Sequence, residues 1–326
     1  MRSNVILLTL CALLLALSAS VQAQQPAKVP RLGYLGGSLS ANVARIEALR
    51  QGLRELGYVE GKNIFIDWRD SGGKLDRLPA LAADLVQSKV DVIVTGGPAS
   101  TRPLKEATST IPIVMAQDPD PVGNEFISSL ARPGGNITGL STLAPELSGK
   151  RLELLKEIIP KFKRVAVVGS SKEPGNAQSL KEIELASGAF GVQVQYLDVL
   201  DPKDIETALR AASKARADAV LFLGGPVINA YRTRVIELAV KDRLPAIYYA
   251  PEWVEDGGLI TYSVSFTDLF RRAATYVAKI LKGAKPGDLP VEQPKKFEFI
   301  VNLKAAKQIR LVIPPNVLAR ADRVIK

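Results

Sequence analysis

Two apolar segments of this chain end in the same three residues, Gly-Gly-Pro, and continue in the same way. They are residues 90–98 (VDVIVTGGP) and residues 217–226 (ADAVLFLGGP), and each is followed by a helical pattern. A proline-led apolar segment then follows in each case, at residues 111–115 and 244–249. A strand that runs into a glycine turn and a helix is typical of parallel sheets, whose ligands bind where helix N–H groups are free. The sequence therefore predicts two copies of one α/β plan, with a cleft where their strand ends face each other.

Strand and helix patterns alternate along the rest of the chain, which favours a parallel sheet in each half. Capping residues mark two helix starts: Asp201 with Pro202, and Ser265 with Asp268, which resembles a capping box. We also expect a helix after the Asp-Pro turn that follows the fourth strand, ending near Ala131. The other predicted helices include residues 40–56, 75–87 and 146–159, and the other predicted strands are 31–37, 63–68, 111–116, 137–141, 164–169, 192–197, 259–263 and 297–301.

The first residues of the chain have the pattern of a secretory signal peptide. Arg2 is followed by an apolar run over residues 5–17, and small residues lead to Ala23. The run is shorter than the roughly 18 residues that span a bilayer, so a leader is favoured over a membrane anchor. The only cysteine, Cys11, lies inside this run, and its surroundings do not match a lipoprotein cleavage site. We expect a cleaved leader over residues 1–23 and a periplasmic location.

The composition narrows the chemistry available to the chain. It contains no histidine and, without the leader, no cysteine, which excludes histidine triads, cysteine nucleophiles and the usual zinc sites. Hydrophobic residues make up 47% of the chain, enough for two domains without disulfides. The formal charge is +10, but basic residues are scattered among acids, with no patch typical of nucleic-acid binding. We expect no metal, no cofactor and no nucleic acid, and a basic surface that is solvated or weakly steers anionic ligands.

Five segments, in order along the chain, carry a family resemblance. They are residues 52–63 (GLRELGYVEGKN), 120–123 (DPVG), 130–140 (LARPGGNITGL), 147–156 (LSGKRLELLK) and 281–286 (LKGAKP). From residue 30 to its C-terminus the chain resembles exported substrate-binding proteins of ABC transporters, in the family that includes tryptophan-binding members. Two loops depart from the family pattern, at residues 169–176 and 226–229. The ligand of a relative therefore cannot be assigned to this chain on the basis of the resemblance.

The resemblance implies the type I periplasmic binding protein fold, an α/β architecture of two Rossmann-like lobes with parallel sheets joined by a three-strand hinge. The strand crossings would fall near Leu140, near Thr261 and at residues 292–297. Such lobes close around a ligand that contacts both of them. The resemblance does not determine which of the two lobes the C-terminal tail packs on. The predicted division is a leader at 1–23, a first lobe over 24–140 with 264–293, and a second lobe over 141–263 with 294–326.

Candidate ligand contacts lie where the predicted strands end, in two sets. The first-half set is Ser38, Gly97, Ala99, Ser100, Thr101 and Asp118, and the second-half set is Ser170, Asn176, Gly225, Pro226 and Tyr249. The helix after the first Gly-Gly-Pro offers N–H groups to a ligand carboxylate, and Asp118 could pair with a ligand amine. Strand alternation lets one of two neighbouring tyrosines face the cleft; we expect Tyr249 rather than Tyr248, with Trp253 in the core.

These features favour a periplasmic receptor that closes around an amino acid or related carboxylate, with an aromatic or branched side chain. Its expected partner is an ABC permease in the inner membrane, and a monomer is expected because both lobes must be presented to it. One alternative is a sensor subunit that presents the ligand to a membrane receptor. Another, weakened by the missing histidine and cysteine, is an enzyme that uses acids such as Asp118 and Glu252. A transcriptional regulator would need a DNA-binding headpiece where the leader stands.

Overall fold

The computed structural model describes residues 28–326, so the predicted leader lies outside the described residues. The first sheet is built from β1 (Arg31–Gly36), β2 (Phe65–Asp70), β3 (Val92–Thr95), β4 (Ile113–Met115) and β5 (Ile137–Gly139). These strands lie in the order β2-β1-β3-β4-β5, and every neighbouring pair is parallel. β3 and β4 are fully buried and apolar apart from Thr95, as expected for central strands of a sheet covered on both faces.

The second sheet is built from β6 (Arg164–Gly169), β7 (Gln193–Asp198), β8 (Ala219–Phe222), β9 (Ala246–Tyr248), β10 (Ile260–Val264), β11 (Phe297–Asn302) and β12 (Arg323–Ile325). Their order is β12-β11-β10-β9-β8-β6-β7. The pair β10–β11 is antiparallel, with Val264 opposite Phe297, which corrects the expectation of a purely parallel sheet. The chain leaves this sheet at the end of β10 and returns at that same end, so β11 runs the opposite way.

Twelve α-helices lie within residues 28–326, and most of them connect successive strands. They are α1 (Val43–Glu55), α2 (Leu78–Gln87), α3 (Pro98–Ala107), α4 (Ala144–Ile158), α5 (Asn176–Phe190), α6 (Pro202–Lys214), α7 (Pro226–Ala230), α8 (Arg232–Lys241), α9 (Pro251–Glu255), α10 (Phe266–Leu281), α11 (Leu303–Gln308) and α12 (Pro315–Leu318). The predicted start of α6 is confirmed, because Asp201 and Asp204 form a capping box there. The capping box predicted at Ser265 is wrong, since that side chain makes no cap hydrogen bond and Asp268 faces Arg272, 3.6 Å away.

The helix expected to end near Ala131 does not form, and turns and bends take its place. The Asp120 side chain and its carbonyl accept from the Gly123 and Asn124 N–H groups, each at 2.8 Å, so a single helical turn starts here. Glu125 then adopts a left-handed conformation, with φ at 58°, which ends the turn. The left-handed backbone at Glu125 therefore stops the helix after one turn.

Within the described residues the chain passes between the two sheets after β5, after β10 and before β11. The Ser141 N–H donates to the Glu292 carbonyl, 2.9 Å away, and the Ser265 N–H donates to the Lys296 carbonyl, 3.1 Å away. The three connecting segments are therefore bonded to one another as a hinge between two lobes. The C-terminal residues belong to the second lobe, because β11 and β12 lie in its sheet.

Helix α10 packs on α1 of the first lobe, and the contact needs a glycine. A Cβ atom on Gly52 would lie 2.4 Å from the Arg271 carbonyl oxygen, so the two backbones could not approach as they do. The first lobe therefore includes α10, although α10 lies between β10 and β11 of the second sheet in sequence. In the part of the chain that the structure describes, no helix is long and apolar enough to cross a membrane.

Candidate functional site

A cavity of about 110 Å³ lies between the lobes, where strands of both sheets end. The ends of β1, β3 and β4 face it from the first lobe, and the ends of β6, β8 and β9 face it from the second. This is the edge at which open α/β sheets bind ligands.

Most of the residues predicted from the sequence line this cavity. They are Ser38, Gly97, Ala99, Ser100, Asp118, Asn176, Gly225, Pro226 and Tyr249. Thr101 and Ser170 do not, which corrects their selection. The Thr101 hydroxyl turns into the protein, where it bonds the Thr95 hydroxyl at 2.8 Å. Ser170 is buried beneath the loop, and its hydroxyl accepts from the Lys172 N–H at 3.3 Å.

The first Gly-Gly-Pro turn leads into α3, as the sequence predicts. The Ser100 and Thr101 N–H groups both donate to the Gly97 carbonyl, each at 3.1 Å. The Glu173 carboxylate, which comes from the opposite lobe, lies close enough to the Ala99 N–H for that group to lower its pKa. A protein carboxylate therefore occupies the helix start at which a ligand carboxylate is expected from the sequence.

Asp118 lies just beyond β4, and its carboxylate is only half satisfied. Its Oδ1 accepts from the Asn124 side-chain amide at 2.9 Å and from the Asp120 N–H at 3.0 Å. Its Oδ2 is buried and has no hydrogen-bond partner among the described residues. Burial raises the pKa of Asp118 to about 8, although the Asn124 and Asp120 hydrogen bonds oppose the rise. Such a group is costly to bury as an anion unless a cation or donor reaches it.

Glu173 stands in the loop between β6 and α5, on the other side of the cleft. Its Oε2 atom is also buried without a hydrogen-bond partner in residues 28–326. Burial raises its pKa to about 8, the negative charge of Asp118 adds to the rise, and the Ala99 N–H opposes it. Sequence reasoning missed Glu173, although it selected Ser170 and Asn176 on either side of it. The negative charge of Asp118 is thus close enough to raise the pKa of Glu173 across the cleft.

Arg151 supplies a buried positive charge from α4. Its Nε donates to the Tyr262 carbonyl at 2.8 Å, and its Nη1 is 3.5 Å from the Ser148 hydroxyl. It forms no salt bridge within the part of the chain that is described. Burial lowers its pKa to about 10, so the guanidinium stays charged at neutral pH. A signal for it exists in the sequence, since Arg151 falls four residues after Leu147, on the core-facing side of a helix.

A second arginine, Arg45 of α1, bridges the lobes. Its Nε and Nη2 donate to the two carboxylate oxygens of Glu252, at 2.7 and 3.1 Å. Its guanidinium also lies 3.9 Å from the centre of the Phe266 ring. Burial would raise the pKa of Glu252, but the charge and hydrogen bonds of Arg45 hold that pKa below its usual value. This pair is balanced within the protein.

Aromatic side chains form the apolar part of the wall. Tyr249 and Phe266 line the cavity with their rings edge to face, 6.3 Å apart. Tyr248 faces away and stacks on Trp253, with ring centres 5.0 Å apart, inside the core of the second lobe. Charged groups of both signs and an aromatic surface therefore meet in one cavity.

Comparisons with known proteins agree with this geometry. A family model described as ABC transporter substrate binding protein matches residues 38–325. A curated tyrosine-binding protein of Clostridioides difficile (strain R20291) is 25% identical over 257 residues, which cover 79% of this chain and 74% of that protein.

Two solved structures are similar over most of this chain. A conserved domain protein from Vibrio cholerae O1 biovar El Tor str. N16961 has a TM-score of 0.86 at 30% identity, and the match covers 91% of this chain and 100% of that one. An ABC domain from Streptococcus pneumoniae in complex with L-Trp has a TM-score of 0.84 at 26% identity, covering 91% and 99%. The predicted fold is thus confirmed, and the chain belongs to the family of ABC transporter substrate-binding proteins.

Proposed function

We propose that this protein is the periplasmic receptor of an ABC importer and that it closes its lobes around a free amino acid with an aromatic or branched side chain. In this proposal Arg151 binds the ligand carboxylate, Asp118 binds its ammonium group, and the side chain packs against Tyr249 and Phe266. The proposal includes a monomer that presents both lobes to a permease in the inner membrane.

The presence of unbalanced charges of both signs in one cavity carries this proposal. Arg151 is a buried cation without a carboxylate partner in residues 28–326, and Asp118 has a buried oxygen without a donor. Burying such groups is costly unless they are paired. An amino-acid zwitterion has one charge for each of them, whereas a neutral solute such as a sugar would leave both unbalanced.

The relatives support the same class of ligand. One is described as tyrosine-binding, and another was solved with L-Trp. A micromolar ligand has about 8 kcal/mol of binding free energy, while moving an open–closed balance from 1:99 to 99:1 takes about 5.5 kcal/mol. An amino acid can therefore close the lobes and remain bound.

The geometry gives less support to an enzyme. Of the two acids considered for catalysis, Glu252 is held in a two-point ion pair with Arg45. A carboxylate in that state is a poor proton donor or acceptor near neutral pH. A sensor that presents its ligand to a membrane receptor would use the same closed form, so it stays the second candidate.

Isothermal titration calorimetry of the purified protein with L-tyrosine, L-tryptophan and L-leucine tests the proposal. We expect saturable binding of at least one of them and weaker binding of tyramine, which lacks the carboxylate. Mass spectrometry should recover the bound compound unchanged. Absence of binding by all three amino acids would contradict the ligand class, and a converted product would favour the enzyme.

A further inference from the structure

We infer that the lobes close on a positively charged group. Closure brings together two carboxylates from opposite lobes, Asp118 and Glu173, and only a cation or bound protons can offset the repulsion between them. This inference rests on the proposed function and deepens it. It makes Glu173 the residue that selects α-amino acids over analogues of the same shape without an amine.

The two carboxylates belong to separate bodies. Asp118 follows β4 in the first sheet, and Glu173 follows β6 in the second. Each has a buried oxygen without a partner among the described residues, Oδ2 of Asp118 and Oε2 of Glu173. Both side chains line the cavity between the lobes. When the lobes separate, water can reach both acids, so the strain of bringing them together arises on closure.

The surrounding charges do not balance this pair. The negative charge of Asp120 raises the pKa of Asp118, and the positive charge of Arg102 on α3 lowers it. The Arg102 guanidinium, however, donates its hydrogen bond to the Asn124 carbonyl, 2.9 Å away. Glu173 faces Asp118 and the N–H of Ala99 at the start of α3. The Ala99 N–H and the α3 dipole supply only a partial positive charge. Arg45 bonds Glu252, and Arg151 bonds the Tyr262 carbonyl and the Ser148 hydroxyl, so within the described residues neither arginine hydrogen-bonds either carboxylate.

A ligand ammonium group can offset the repulsion between these two carboxylates. It carries a full positive charge and three N–H donors, enough to reach both unpartnered oxygens at once. With it in place, both acids can stay ionised in the closed form. Without it, closure must take up protons, because burial holds the pKa of each acid near 8, whereas 3.8 and 4.5 are their ordinary values in water.

The sign of the pH effect follows from this difference. A closed form that binds more protons than the open form is fully favoured below the ordinary pKa values and loses that advantage as the pH rises towards about 8. A ligand without an amine should therefore bind more weakly by up to about tenfold per pH unit for each proton taken up. A ligand that brings its own positive charge should show little of this dependence.

Calorimetry at several pH values between 6 and 8 tests the inference with two matched pairs. One pair is L-tyrosine with 3-(4-hydroxyphenyl)propanoate, and the other is L-tryptophan with indole-3-propanoate. We expect nearly constant affinity for the amino acid and an affinity for its deaminated analogue that falls by about tenfold or more per pH unit. Parallel pH profiles for the two members of a pair would overturn the inference.

The variant Glu173→Gln separates this role from a structural one. It keeps a carbonyl oxygen for the Ala99 N–H and removes one negative charge. At pH 8 it should bind the deaminated analogue about tenfold or more tightly than the wild type does, while it binds the amino acid about tenfold more weakly. A damaged fold would weaken both, so a gain for one probe cannot come from misfolding. Glu184→Gln, on the exposed face of α5, is the matched control and should change neither affinity.

Failure of the inference is distinct from failure of the proposed function. If L-tyrosine or L-tryptophan binds but Glu173→Gln leaves the preference for the amine unchanged, the inference is wrong and the receptor function stands. If none of the three amino acids in the first titration binds, the proposed function itself is wrong.

Discussion

Two buried charged clusters connect the lobes across the cleft, and they differ in whether their charges are balanced. Arg45 and Glu252 neutralise each other through two hydrogen bonds, at 2.7 and 3.1 Å. Asp118 and Glu173 carry charges of the same sign, and each keeps a buried oxygen without a partner in the described part of the chain. The first cluster can therefore hold the lobes together without a ligand, whereas the second is completed only by one. The difference separates contacts that favour closure in general from contacts that depend on what is bound.

The largest expected effect comes from breaking the balanced cluster. Glu252→Ala leaves Arg45 to be buried on closure without its carboxylate, so we expect L-tyrosine to bind about 100-fold more weakly, roughly 3 kcal/mol. Calorimetry measures this directly. The double variant Arg45→Met with Glu252→Leu should recover most of the affinity, because apolar side chains often replace a buried ion pair at little cost. Unchanged binding by Glu252→Ala would show that this pair does not stabilise the closed form.

Removing the unpaired cation should have the next largest effect. Arg151→Met deletes the proposed partner of the ligand carboxylate, and a hydrogen bond to a charged group is worth about 2 kcal/mol. L-Tyrosine should lose about that much binding free energy, whereas tyramine, which has no carboxylate, should lose little. Lys150→Met, one residue earlier and more exposed on α4, serves as the control. Equal losses for the two ligands would argue against a contact between Arg151 and the carboxylate.

Changing one acid of the unbalanced cluster should alter stability as a function of pH. Because burial raises the pKa of Asp118 to about 8, the native protein loses stability as the pH rises from the unfolded value near 3.8 towards 8. Asp118→Asn removes this loss. Relative to wild type, its free energy of unfolding should be about 2 kcal/mol more favourable at pH 8 than at pH 6. Urea denaturation at both pH values of protein held closed by saturating 3-(4-hydroxyphenyl)propanoate, which brings no amine, measures this, with Asp76→Asn as an exposed control, and a constant difference would contradict it.

The smallest effect is expected from an exposed ion pair, which serves as a reference for the buried Arg45–Glu252 pair. Arg210 and Glu206 lie 2.9 Å apart on the surface of α6, with side chains 73% and 53% exposed. Arg210→Ala should therefore change the free energy of unfolding by less than about 0.5 kcal/mol and leave ligand affinity unchanged. An effect as large as that of Glu252→Ala would mean that burial is not what distinguishes the Arg45–Glu252 pair.

Local features of the chain could be predicted because their causes are local. The Gly-Gly-Pro turns do end buried strands, and Asp201 does cap α6. Two predictions from local patterns failed because a nearby residue adopted another conformation or made another contact. The left-handed Glu125 stops the helix expected up to Ala131 after one turn, and Asp268 faces Arg272 rather than forming a cap.

The two arginines show what sequence could have revealed and did not. Arg45 and Arg151 each stand at a position where a helix faces the core, among leucine and isoleucine neighbours. A charged residue at such a position must find a partner or a ligand, because an unpaired buried charge is too costly to keep. That signal identifies a functional residue but does not say which partner it meets.

The sequence by itself determined the alternation of strands and helices, the two repeated strand ends and the family, because these depend on neighbours along the chain. Most of the contact residues that it picked out do line the cavity, since parallel strands end at one edge of a sheet. Only the tertiary structure decided that Arg45 meets Glu252, that Glu173 reaches the start of α3, and that Arg151 is left without a carboxylate in residues 28–326. These contacts join residues from different lobes or loops, and no periodicity in the chain records how two separately folded lobes come together.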